Sequence, residues 1–159
     1  TLETLMTAPV TDTQVILGKF TGIMLFYVAL LATTLLDAIL LLHYAELPWQ
    51  AVAMGYLGLL LLGGTFTAVG LFASTLTRYQ ILAALIGAGL LSALTFMMDY
   101  LGELRGNLWR VITSSMNLLG HFDDFSKGIL DTRALVMLIS AAAFFLFLAV
   151  KVLESRRWR

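Results

Sequence analysis

FTGIMLFYVALLATTLLDAILLL, Phe20 to Leu42, is an unbroken apolar run carrying a single charge, Asp37. As a helix rising ~1.5 Å per residue, it is long enough to cross the ~30 Å hydrocarbon layer of a bilayer. Three further stretches, 51–73, 79–98 and 134–150, read the same way and hold no charge. The last becomes a full crossing, 134–153, if the Lys151 amine snorkels toward the interface. Composition agrees: 60% of the 159 residues are hydrophobic and 13% are charged, proportions foreign to a soluble domain. The expectation is an all-α fold, a polytopic transmembrane helix bundle with four spans, plus amphipathic interfacial helices. The whole of 1–159 is expected to form one domain.

Several function classes fall away at once. The net charge is zero, so no global field points to nucleic acid. Cysteine is absent, which removes disulfides, thiol catalysis and thiolate metal sites. No phosphate-cradling GxxxxGK[ST] loop occurs, and most of the glycines lie inside apolar runs. The chain opens on TLETLMTAPVTD without an initiating methionine, and is expected to be the C-terminal part of a longer protein.

Four crossings put both ends on one side. The ends and the turn after the second span carry Lys19, Arg78, Lys151, Arg156, Arg157 and Arg159, against Arg105, Arg110, Lys127 and Arg133 on the other face. The cluster ESRRWR abuts its span and weighs most, so both ends are expected in the cytoplasm. Tyr44, Trp49, Tyr100, Trp109 and Trp158 flank the spans, as amphipathic aromatics do at headgroup level. Inside the spans, Gly63, Gly64, Thr67 and Ala68, and then Ala83, Ala84, Gly87 and Ala88, form small-xxx-small pairs. These let backbones approach closely, either within the chain or across a dimer seam.

Between the third and fourth spans, Leu108, Ile112, Met116, Leu119, Phe122 and Phe125 recur every three or four positions. The pattern predicts extracytoplasmic amphipathic helices within 99–133, broken near Gly120, with a stop at Gly128. His121, Asp123 and Asp124 sit there in GHFDDF. Their i, i+2, i+3 spacing spreads them over different helix faces, which favours a polar surface over a metal site. Asp37 is the intramembrane polar candidate. A charge at a helix centre costs ~2.5–3.5 kcal/mol, so such an acid has either a packing or solvated-cavity role or a transport role. No second acid lies within a span to make a catalytic pair.

The opening TLETLMTAPVTDTQVILGKF resembles the cytoplasmic segment of type-2 ABC-transporter permeases, in which a TLExLLxxPV-like element precedes a GK dipeptide. Thr1, Leu2, Glu3, Leu5, Pro9, Val10, Gly18 and Lys19 carry the likeness. GLFASTLTRYQ at 70–80 and HFDDFSKGILDTR at 121–133 fit the same family, in particular its gliding-motility-type branch, in the same order. The resemblance implies a bacterial inner-membrane subunit of six spans, two of them before Thr1. It implies that 1–18 is a coupling segment docking on a separate ATP-binding cassette ATPase through Leu2, Glu3, Leu5, Met6 and Pro9. It also implies a second permease copy or a related subunit, and an outer gate on His121, Phe122, Asp123, Asp124, Phe125 and Gly128. The spacing of Leu2, Leu5 and Met6 is compatible, since they share one helical face, and Pro9 would separate that helix from the next. The upstream charged part of the family's element is not in this chain. No cofactor or metal is implied, and ATP hydrolysis would belong to the partner. The rival readings are a membrane scaffold and a membrane-embedded enzyme using Asp37.

Overall fold

A computed structural model describes residues 11–44, 48–97 and 132–157, all of them helical apart from short connections. Helix α1 is Asp12–Tyr44, α2 is Trp49–Leu76, α3 is Gln80–Ser92 and α4 is Thr132–Arg157. A π-helical turn, Ala93–Met97, prolongs α3. The coupling residues Leu2, Glu3, Leu5, Met6 and Pro9 lie outside the described residues. So do the gate residues His121, Phe122, Asp123, Asp124, Phe125 and Gly128, and the aromatics Tyr100, Trp109 and Trp158.

Among the described residues, three helices are long and apolar enough to cross a membrane: α1, α2 and α4. The third expected span is a shorter apolar helix over Gln80–Phe96, ~26 Å long and somewhat under the hydrocarbon thickness. Each long helix overruns its apolar stretch. Helix α1 starts at Asp12 rather than Phe20, so Gly18 and Lys19 lie within it. Its start is set by a reciprocal cap: the Gln14 amide donates to Thr11 Oγ1 at 3.3 Å, and the Thr11 amide donates to Gln14 Oε1 at 3.0 Å. That box satisfies two otherwise orphaned donors, and Asp12 in the first turn complements the helix dipole. Helix α2 begins behind Pro48, whose fixed φ of −67° suits a helix entry. It ends where Thr77 turns extended, and Thr77 Oγ1 then accepts the Tyr79 amide at 3.2 Å, leading straight into α3.

Contacts fix the directions. Tyr27 meets Leu59 while Thr34 meets Tyr56, so α1 and α2 are antiparallel. Helix α3 folds back on α2 through the turn at 77–79, with Gly87 against Ala73 and Gly70. Thr65 meets Leu138 and Phe72 meets Phe145, so α2 and α4 run parallel in constant register. The start of α1, the α2–α3 turn and the end of α4 therefore share one end of the bundle, which collects Lys19, Arg78 and Lys151.

Helix α2 is the hub. Its buried residues Gly58, Gly64, Thr65, Ala68, Val69, Leu71 and Ala73 are mostly small, and α1, α3 and α4 all pack on it. The tightest core joins Ala134 and Leu138 of α4 to Leu61, Leu62 and Phe66 of α2, with Leu94 of the π turn closing over it. By contrast, Ile16 is the one buried residue described on α1. The small-residue pairs are used within the chain at three positions. Gly63 faces Tyr27, Gly64 faces Met24 and Gly87 faces Ala73.

Candidate functional site: a polar patch on α1

Hydroxyls inside an apolar helix have no water to bond, so threonine and serine return their protons to carbonyls one turn back. Thr33 donates to Leu30 O at 2.6 Å, Thr34 to Leu31 O at 2.8 Å and Thr67 to Gly63 O at 2.7 Å. Thr21 does the same to Leu17 O. No buried side-chain nitrogen or oxygen among the described residues is left without a partner.

Tyrosines tie α1 to α2. Tyr27 OH donates to Leu59 O at 2.9 Å, and Tyr56 OH donates to Thr34 Oγ1 at 3.1 Å. Asp37 stands one turn beyond Thr34. Residues three and four apart share a helix face, so Thr33, Thr34 and Asp37, joined by Tyr56 across the gap, make one polar patch. Asp37 is exposed, and no hydrogen bond or ion pair engages its carboxylate among the described residues. It lies seven residues from Tyr44, ~10 Å along the axis, so its depth is intermediate between the helix centre and the interface.

A carboxylate at such depth is costly against hydrocarbon, and acids in spans face protein or a water-filled cavity. The patch can accept hydrogen bonds at Asp37 and Thr33, while the Thr34 proton is committed to Leu31 O. No group of three or more His, Cys, Asp or Glu side chains capable of holding a metal occurs among the described residues.

Asp37 stands out in the sequence as the lone charge of its apolar run, whereas its neighbours do not. Tyr27 and Tyr56 carried a usable signal, because a phenol inside an apolar run must find an acceptor. Thr65 gave a weaker one, since its hydroxyl reaches α4 only through a fold that the sequence does not display. The chain matches no family model, no curated protein and no solved structure.

Proposed function

We propose that this chain is a membrane-spanning permease subunit of an ATP-binding cassette transporter, forming a substrate pathway and coupled to a separate ATPase subunit. The observation that carries the reading is the ordered set TLETLMTAPV, GLFASTLTRYQ and HFDDFSKGILDTR along one apolar chain. On this reading α3 and its π turn form a fourth crossing. Both ends are cytoplasmic at a bacterial inner membrane, and a second permease copy or a related subunit completes the path.

Two structural features support it. Helix α1 is capped at Thr11, two residues after Pro9, and runs unbroken for 33 residues. A displacement of the coupling segment by the ATPase would thus enter one continuous rod that crosses the bilayer. Thr33 and Asp37 are exposed among the described residues, as suits a face turned to a pathway or a neighbouring subunit. ATP binding would then shift the population between two packings of the bundle.

The test is to co-express the full-length protein with the ATP-binding protein encoded beside it and purify the pair in detergent. Co-purification, lost when Leu2, Leu5 and Pro9 are replaced together, is the expected result. A folded protein with no ATPase partner would overturn the permease reading and favour the scaffold. The enzyme reading rests on Asp37 alone. It requires a membrane-dependent activity that needs no ATPase and disappears in Asp37→Asn.

A further inference from the structure

Helices α1, α2 and α4 leave a crevice of about 300 Å³ between them. Phe20 and Met24 of α1 form one wall, Ala142, Ala143 and Leu146 of α4 the other, and Gly64 of α2 lies at its floor. No polar atom lines it, and it opens sideways at Ile139 and Ala143, which are exposed. Its walls lie within helices apolar enough to cross a membrane. That is many times the space a single water needs, and is room for a stretch of acyl chain.

Toward the shared end of the bundle the same three helices enclose a second cavity, of about 180 Å³. Ile16 and Lys19, Leu71 with Ser74 and Thr75, and Leu153 line it. Leu71 follows Gly64 by seven residues on α2, and Leu153 follows Leu146 by seven on α4, so the cavity lies ~10 Å along the bundle. Lys19 and Phe20, adjacent in sequence, face the cavity and the crevice respectively. Thr75 Oγ1 gives its proton to Phe72 O at 2.7 Å. The Lys19 amine and the Ser74 hydroxyl have no described partner. The nearby acid Glu154 is already paired with Lys151 at 2.8 Å. An apolar slot and, two helical turns further along the same three helices, a second cavity lined by a cation and hydroxyls match the chain and the negative head of an amphiphile.

We propose that crevice and cavity together hold one anionic phospholipid, one of its two acyl chains between α1 and α4 and its phosphate on Lys19 and Ser74. The lipid comes from the leaflet at the shared end and closes the seam that α1, with its single described buried residue, leaves open. Ala142→Phe and Ala143→Phe each fill the slot without touching the second cavity, whereas Lys19→Gln removes the charge and leaves the slot intact.

The experiment is native mass spectrometry of the whole chain in mild detergent, titrated with dioleoyl phosphatidylglycerol or dioleoyl phosphatidylcholine. Wild type is expected to retain one phosphatidylglycerol per chain, with at least tenfold preference over phosphatidylcholine. Both slot-filling variants, with helical content checked by circular dichroism, should lose retention of either lipid at least tenfold. Lys19→Gln should bring the two lipids within about twofold of each other. Unchanged retention in a folded slot-filling variant, or undiminished preference in Lys19→Gln, would overturn the proposal. So would displacement of the bound lipid by glycerol phosphate, which would assign the second cavity to a free anion.

Discussion

At Gly63 the missing side chain makes room for the Tyr27 ring, because a Cβ built there would fall 2.6 Å from Tyr27 Cζ and 2.9 Å from its hydroxyl. Gly63→Ala therefore pushes the ring away and breaks its bond to Leu59 O, an overpacking cost of about 1–3 kcal/mol. Replacing the ring as well, in Gly63→Ala with Tyr27→Leu, should recover part of that loss. A double-mutant cycle read by SDS-titration unfolding checks it, and additive losses would mean the two residues do not meet. Thr65 is a second such point: its hydroxyl sits 3.0 Å from Leu61 O and 3.1 Å from Leu138 O, and its one proton serves one or the other. Thr65→Val keeps the shape and should lose only about 1 kcal/mol in the same assay, since membrane hydrogen bonds are individually modest. Asp37 could be read from sequence because one charge in an apolar run is conspicuous. The use of Gly63 could not, because nothing local distinguishes a glycine that receives a ring from one that merely lets helices approach.

At the scale of elements, apolar runs located the helices, while their ends followed other rules. Helix α1 begins eight residues before Phe20 because hydropathy marks membrane depth, whereas a helix continues until a cap stops it. The signal TDTQ at 11–14 was there to be read as a capping box. Helix α4 likewise runs from Thr132 to Arg157, past both ends of the apolar stretch. The α2–α3 contact turns on Gly87, where a Cβ would meet Ala73 Cβ at 3.4 Å, within ordinary contact. Gly87→Ala should thus cost little, while Gly87→Leu should pry α3 from α2. Crosslinking of paired cysteines placed across the α2–α3 contact beside Gly70 and Ala73 would report the difference, and equal yields in both variants would refute it. Which span touches which was not legible, since small-residue pairs signal close packing without naming the partner.

For the whole molecule, the placement of three segment ends together makes a strong claim about sidedness. Because the chain has no cysteine of its own, single cysteines can be introduced without a removal step. Thr13→Cys, Arg78→Cys and Ser155→Cys should all react with an impermeant maleimide from one side of the membrane. Tyr44→Cys should react from the other. A split among the first three would refute the parallel pairing of α2 with α4 and the antiparallel pairing of α1 with α2. The same end carries Lys19, Arg78 and Lys151, bases whose clustering is visible in the sequence. Asp37 and its threonines add that the exposed sides of α1 are not uniformly apolar.

The α2–α4 register has a consequence for how the protein is made. Thr65 and Leu138 are 73 residues apart, so at ~5–20 residues per second a ribosome delivers α4 roughly 4–15 s after its partner. Through that interval α1, α2 and α3 can already lie side by side, while Thr65, Phe66 and Phe72 still lack their α4 partners. A nascent chain is thus exposed to membrane chaperones and quality-control proteases until its last helix arrives. Premature stop codons between residues 97 and 132 would leave α1, α2 and α3 permanently without α4, in that unfinished, degradable form.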